Sequence, residues 1–374
     1  MASAYTPGLK IVAETDLEKD RRLPMKGDVH VKQGDKVTAE TVVASTYLPG
    51  NVYPLNVANM LGCEPNELAD FLKKKQGDQL KKGDLIAETP GFFGFFKTTV
   101  ESPIDGSIET ASTTTGQLML RPPPVPVEVL AYVDGTVAAV YPEEGVRVEA
   151  YATFIQGIFG IGGEVVAPLK MIAKTPSDIL DEGNLTVDHK GKIVVGGSLV
   201  TAAALNRAIQ LGVKGIIVGG YDANDLKEFL GFDLGVAITG NEDKGISLVV
   251  TEGFGRINMA QKTFDLLKER EGKKASVNGA TQIRAGVIRP EVVIPLDAHH
   301  DVTQVKENTG GMQVGTILRI IREPNFGSVA KVVSLPEKPT IIATEAKVRV
   351  VEIEIISSGE RVTLPRANVE IIEG

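Results

Sequence analysis

One short phrase, written twice, constrains this chain more than any other feature. Gln33-Gly34-Asp35-Lys36-Val37 runs on to Val42-Val43-Ala44, and Gln76-Gly77-Asp78-Gln79-Leu80 runs on to Leu85-Ile86-Ala87. A second echo follows in Asp105-Gly106-Ser107-Ile108 and Asp134-Gly135-Thr136-Val137. Glycine and aspartate supply turn conformations, and the short aliphatic runs supply strands, so each copy reads as strand, tight turn, strand. Between the copies, Glu64 to Lys75 predicts one short helix, with Pro65 near its start, where a missing N–H costs nothing. Arg121-Pro122-Pro123-Pro124-Val125-Pro126 predicts a stiff extended connector, and Phe154 to Gly163 is apolar and glycine-rich.

From about Gly191 the period changes. Lys192 to Val195 reads as a strand ending in Gly196-Gly197-Ser198. Leu199 to Leu211 then reads as a helix that Ser198 can cap, with Gly212 where a left-handed C-cap belongs. Gly215 to Val218 is the next strand, Asn224 to Leu230 a short helix, and Leu234 to Thr239 and Ile246 to Val250 are strands. Ile257 to Glu271 is a helix with Ile257, Ala260, Phe264 and Leu267 on one face, ended by Gly272. Such alternation predicts a parallel α/β unit. From Thr309 the text is β again. Gly315 to Ile321, Ser328 to Ser334, Lys347 to Ile355 and Arg361 to Leu364 are strand-like runs joined by turn residues, which predict a small barrel.

Two stretches resemble known families. Gly77-Asp78-x-x-x-x-Gly83-Asp84-Leu85-Ile86-Ala87-Glu88-Thr89, with Lys97-Thr98-Thr99-Val100-Glu101-Ser102-Pro103-Ile104-Asp105-Gly106-Ser107-Ile108, resembles the lipoyl/biotinyl-type barrel-sandwich, or hammerhead, modules. That resemblance implies a modified lysine at a hairpin tip, and Lys97 is the nearest match. The tight Asp-Lys-Ala tip of the family is missing, and Pro90-Gly91-Phe92-Phe93-Gly94-Phe95-Phe96 is inserted instead, so an unmodified structural module is expected. Val314-Gly315-Thr316-Ile317-Leu318-Arg319-Ile320-Ile321-Arg322-Glu323-Pro324-Asn325-Phe326-Gly327-Ser328-Val329-Ala330-Lys331-Val332-Val333 resembles the KOW-type SH3-like barrels of ribosomal proteins and transcription elongation factors. In that family the loop around the motif touches RNA or protein, which implies such a role for Arg319, Arg322, Asn325 and Lys331. Met312 to Gly374 holds eight Lys and Arg against eight Glu, and this neutral balance weakens the RNA role; a barrel that docks on protein, or one that packs on its own chain, is equally expected.

The expected fold class is therefore multidomain α/β plus all-β. Residues 1–121 form a barrel-sandwich (lipoyl-like) module with a short helical insert, and 122–185 a second β-rich module. Residues 186–296 form an α/β (Rossmann-like) domain with a parallel sheet, and 297–374 a linker and a KOW/SH3-like β-barrel.

Composition narrows the chemistry. The net charge of -8 argues against coating nucleic acid through bulk electrostatics. The single cysteine, Cys63, excludes an intramolecular disulfide and a cysteine-ligated cluster within one chain, and it reads as a small buried or semi-buried residue. The N-terminus carries no apolar secretory segment, and no run approaches 18 consecutive apolar residues, so a soluble cytoplasmic protein without a membrane partner is expected.

Several residues are candidates for chemistry. Gly196, Gly197 and Ser198 end one strand, Gly219, Gly220 and Asp222 end the next, and a crevice between them would present N–H groups to a phosphate or carboxylate. The bland alternative is a pair of connecting turns. Arg256 would clamp an anion and Glu252 would act as a base; the alternative is a loop with solvated charges. Asp297-Ala298-His299-His300-Asp301 is the densest polar cluster, but adjacent side chains on an extended segment point to opposite faces, so a linker is preferred and no metal site is expected. No catalytic residue and no cofactor is assigned.

The leading expectation is a non-enzymatic binding or assembly scaffold, ribosome- or transcription-associated and self-associating, with protein partners or RNA. Phe92, Phe93, Phe95 and Phe96, and the Phe154 to Gly163 segment, are its expected contact surfaces. The alternatives are an enzyme or sensor that binds a nucleotide or phosphorylated metabolite in the α/β unit, and a carrier domain modified at Lys97.

Overall fold

The computed structural model describes residues 9–90, 97–222, 225, 229, 244–281, 288–297, 312–322, 325, 328–336, 338–341, 347–356 and 358–371. The Phe92, Phe93, Phe95 and Phe96 contact loop, the strand expected over 234–239, and His299 with His300 lie outside these residues; of the helix expected over 224–230, only Asp225 and Phe229 fall within them. Strands dominate over helices and form several sheets, so the chain is mostly β. No helix among the described residues is long and apolar enough to cross a membrane.

The echoed phrase builds the same turn each time. Gly34, Gly77 and Gly83 have φ near +90° (90°, 91° and 89°), a conformation that costs an L side chain about 1–2 kcal/mol. The following aspartate folds back onto the chain: Lys32, Lys75 and Lys81 donate their backbone N–H to Asp35, Asp78 and Asp84 at 2.8, 2.8 and 3.0 Å. Each turn is then locked across the sheet. Gly34 donates to Val137 O and Val137 donates back to Asp35 O, while Gly77 donates to Ile108 O and Ile108 donates back to Asp78 O. The second echo has one role in both copies, because Asp134 accepts from Ala39 N and Asp105 from Lys82 N, both at 2.7 Å.

The match extends well beyond the phrase. Lys36–Val37 pairs with Gly135–Tyr141, as Gln79–Leu80 pairs with Gly106–Ser112. Val42–Leu48 pairs with Val125–Leu130 through a register shift between Val129 and Leu130; Leu85–Glu88 pairs with Thr99–Glu101 through a shift at the same place, between Leu85 and Ala87. Arg21 and Arg22 lie opposite Val146 and Gly145, as Leu55 and Asn56 lie opposite Leu118 and Gln117. The two units are therefore copies of one design, and they are nested rather than consecutive. The inner copy, residues 53–121, is inserted between strands Val42–Leu48 and Val125–Leu130 of the outer one. Each copy has its own core: Val37, Val43, Val133, Val137, Val146 and Val148 in the outer, and Leu80, Ile86, Ile108, Leu118 and Leu120 in the inner. The expected 1–121 module is corrected accordingly, since its first strand, Ile11–Arg22, pairs with Gly145–Gln156 and closes the outer copy. Where one short helix was expected over 64–75, a 3-10 turn Pro65–Glu67 leads into Leu68–Phe71, and Val57–Leu61 is a further helix the sequence pattern did not announce.

Pairing also crosses the expected boundary at 185/186. Glu164–Met171 runs parallel to Ile193–Val195, which runs parallel to Gly215–Tyr221, which runs parallel to Ser247–Phe254. Ile193–Val195 is buried throughout, so it needs hydrogen-bonded neighbours on both edges, and Glu164–Met171 supplies one. Lys274–Asn278 pairs antiparallel with Glu164–Met171 and with Glu291–Pro295, which in turn pairs antiparallel with Gly145–Gln156, so the outer β copy and the α/β unit share one 13-stranded sheet. The helix Ala202–Leu211 packs on one face with Val194, Ile216, Val218 and Leu248, and Gln261–Glu269 packs on the other with Ile193, Val195, Ile217 and Val249. Phe159–Ile161 is a buried strand of this sheet, with Ile158, Phe159 and Ile161 in the core. The segment expected to face a partner is thus consumed inside the fold.

The C-terminal strands Ile317–Ile320, Val329–Ser334, Val350–Ile355, Arg361–Pro365 and Val369–Ile371 form a separate five-stranded antiparallel sheet around Leu318, Ile320, Val332, Val351 and Ile353.

Candidate functional site

In an open parallel sheet, ligands bind beyond the carboxyl ends of the strands. Here three strands end in Gly196-Gly197-Ser198, Gly219-Gly220-Tyr221-Asp222 and Thr251-Glu252-Gly253-Phe254-Gly255-Arg256. The structure brings these segments together and then closes them with the chain itself. Gly196 N donates to Ile217 O, Ser198 N to Asp178 O and Gly219 N to Gly197 O. The Ser198 hydroxyl, fully buried, donates to Ser177 O at 2.8 Å. A Cβ on Gly197 would stand 2.5 Å from Asp178 O, one on Gly219 2.4 Å from Ile257 O, and one on Gly220 2.0 Å from Gly255 O. These glycines are required for backbone to cross backbone. The groups facing them are largely carbonyl oxygens, which repel an anion.

The helix start also differs from the expectation. Leu199–Val200 is a short strand beside Ile179–Leu180, and the helix begins at Ala202 with Thr201 as its cap, accepting from Ala204 N at 3.1 Å. Val200 pairs with Tyr221, which draws Leu199–Val200 into the sheet and moves the helix N-terminus away from Ser198. Gly212 does end the helix, at φ 75°. Asp222 accepts from Asp225 N at 3.4 Å, and Arg256 is exposed at the tip of its loop.

The anion at this end of the sheet is Glu252. Its Oε1 accepts from Ala260 N at 3.0 Å, at the start of helix Gln261–Glu269, where the helix dipole favours negative charge. Its Oε2 meets Arg319 at 3.0 Å, and Arg319 also donates to Thr251 O at 3.0 Å and to the Glu252 carbonyl. The remaining reach of that guanidinium goes to Glu370 Oε1 at 2.9 Å, and Glu370 Oε2 receives Arg289 at 2.7 Å. Arg319 is 2% exposed, Glu252 4% and Glu370 1%. A buried carboxylate or guanidinium is tolerated only when paired and hydrogen-bonded, as all three are. Arg289, Glu252, Arg319 and Glu370 thus rivet the outer face of the C-terminal sheet onto the carboxyl end of the parallel sheet. Arg319, expected at a contact surface, is a pin between two parts of its own chain. The other three positions of that set do lie on or near the surface: Arg322 and Lys331 are exposed and Asn325 is half-buried. No sequence signal announces this network, because its members stand between 30 and 118 residues apart and meet only through the docking of two sheets.

A half-open cleft of about 310 Å³ lies beside Gly196, lined by Ile172, Lys174, Asp178, Leu180 and Asn184 among others. Its polar groups serve the chain. Asp178 accepts from the Thr175 hydroxyl at 2.6 Å and from the Lys174 and Thr175 N–H groups at 2.8 and 3.0 Å, which together hold its carboxyl below the usual range. Among the described residues, no group of three or more His, Cys, Asp or Glu is placed to hold a metal ion. Lys97 pairs with Glu88 at 2.8 Å at the loop end of the hairpin Leu85–Glu88/Thr99–Glu101, and its hydrogen bond holds the Glu88 carboxyl below the usual range. Burial pushes the Cys63 thiol up, away from the reactive thiolate.

Open apolar surface gathers where the inner copy joins the outer. Tyr47 is 66% exposed, opposite Pro126, and Val125, Val52 and Tyr53 are exposed close by in sequence and register. Pro49, Pro54, Pro123 and Pro124 complete the stretch, all exposed. No protein family matches this chain, and neither does any curated protein.

Proposed function

We propose that this chain is a non-enzymatic binding and assembly protein. In this proposal the nested β copies are of the barrel-sandwich kind and the C-terminal sheet is an SH3-like barrel. Their partners are proteins, second copies of this chain included, in a ribosome- or transcription-linked cytoplasmic setting. One observation carries the proposal: the place where an α/β sheet would take a small ligand is filled by the chain's own backbone and by Arg319, while tyrosine, valine and proline lie open at Tyr47, Tyr53, Val125 and Pro126. Exposed tyrosine is an efficient anchor, since it brings a large rigid area with one polar tip.

A photoreactive phenylalanine at position 47, introduced in the native cell, tests this. Discrete covalent adducts from position 47 are expected, with none at the equally exposed Val187. An adduct of twice the chain mass marks a second copy, and loss of an adduct on RNase treatment marks RNA. Absence of adducts at 47, or the same pattern at 187, overturns the proposal. The cleft beside Gly196 favours a second reading, a phosphorylated metabolite or nucleotide held near Lys174, and a rise in melting temperature with such compounds would support it. An intact mass equal to that of the unmodified chain removes the carrier reading at Lys97.

A further inference from the structure

The nested duplication shows what one face of this module is for. In the outer copy, the turn Thr38-Ala39-Glu40-Thr41 and the segment Tyr132-Val133-Asp134 form a face that sits on the chain's own sheet. Glu40 and Asp134 both reach Lys274, at 3.0 and 3.1 Å, Tyr132 O accepts from the Ser276 hydroxyl, and Tyr132 is 2% exposed. The equivalent residues of the inner copy follow from its register: Lys81-Lys82-Gly83-Asp84 and Pro103-Ile104-Asp105. The inner turn repeats the bonds of the outer one, Asp84 N to Lys81 O as Thr41 N to Thr38 O and Lys82 N on Asp105 as Ala39 N on Asp134, with Gly83 at φ 89° in the place of Glu40; yet Lys81, Lys82, Gly83 and Asp105 are exposed.

The charge of the turn is reversed between the copies. Where the outer turn offers Glu40 to a lysine, the inner turn has Gly83 at that place and carries Lys81 and Lys82 just before it, a few residues along the chain from Lys73, Lys74 and Lys75. The aspartates nearby offset this only in part: Asp78, Asp84 and Asp105, which accept the backbone N–H of Lys75, Lys81 and Lys82, set three negative charges against the five lysines. We infer that the Lys81–Lys82 face of the inner module docks a carboxylate-rich protein segment, as the Glu40–Asp134 face of the outer module docks Lys274. This rests on the assembly reading, but it is tested on the purified chain and at a different surface from Tyr47.

The probe is a fluorescein-labelled twenty-residue polyglutamate, titrated with the full chain and read by anisotropy. Oligouridylate of equal length and phosphatidylserine vesicles run in parallel. Lys81→Glu/Lys82→Glu is expected to weaken polyglutamate binding at least tenfold. Lys32→Glu/Lys36→Glu, the same charge change on exposed residues of the outer copy, is expected to weaken it less than threefold. Circular dichroism confirms that both variants fold, since all four side chains are exposed. Equal losses in the two variants, no measurable binding of polyglutamate, or tighter binding of oligouridylate or vesicles overturns the inference. Failure here with adducts intact at position 47 would leave the assembly reading standing.

Discussion

Replacing Arg319 by methionine removes the pin between the C-terminal sheet and the parallel sheet while keeping most of its volume. The loss falls on Glu252 and Glu370, both almost fully buried. Breaking a buried ion pair from one side costs about 3–5 kcal/mol, because the partner charge stays in a poor dielectric. Both carboxylates keep a second donor, Ala260 N for Glu252 and Arg289 for Glu370, so the lower end, about 3 kcal/mol, is expected. For a cooperative unit of 150–250 residues that is a fall in melting temperature of roughly 6–12 °C. The chain holds no tryptophan, so far-UV circular dichroism follows the transition and hydrogen exchange at residues 317–320 reports release of the C-terminal sheet. Adding Glu252→Gln to Arg319→Met removes a stranded charge and should recover a good part of the loss. A single variant within 1 kcal/mol of the parent, or a double variant no better than the single, would refute the reasoning that these charges are held buried by one another.

Gly220→Ala places a Cβ 2.0 Å from Gly255 O, where only backbone can yield, so a loss at or above the roughly 1–3 kcal/mol of ordinary overpacking is expected in urea unfolding. Gly34→Ala and Gly77→Ala meet nothing within 4 Å and cost only the left-handed conformation, about 1–2 kcal/mol each. Similar losses in the two modules would bear out the duplication, and a several-fold difference would count against it. Burial, with Lys192 nearby, holds the His189 imidazole below its ordinary value, and its Nδ1 accepts Thr186 N at 3.1 Å. The unfolded chain then takes up this proton first, so stability is full above about pH 6.5, falls as pH drops toward the lower folded value, and levels beneath it. His189→Gln should flatten that slope in melting curves taken between pH 5 and 8.

Local rules, readable from a dozen residues at a time, settled much of this protein. The Gly-Asp turns are legible because positive φ and an aspartate folding onto its own backbone are requirements of four residues alone, as at Gly34-Asp35 and Gly77-Asp78. The left-handed Gly212 after a helix and the alternation of Ile193–Val195, Ala202–Leu211 and Gly215–Tyr221 are of the same kind. Nesting was beyond reach, because Val42–Leu48 pairs with Val125–Leu130 across an intact copy that lies between them in sequence, and strand pairing carries no mark of sequence distance. The candidate crevice was legible as a place but not as an outcome. Gly196-Gly197-Ser198 and Gly219-Gly220 look the same on paper whether they face a phosphate or another backbone, and only the tertiary structure brings the carbonyls of Asp178, Gly255 and Ile257 against Gly197, Gly220 and Gly219. Arg319 shows the same division: its type promised an ionic contact, and only the docking of two sheets determined that Glu252 and Glu370, rather than a partner, would receive it.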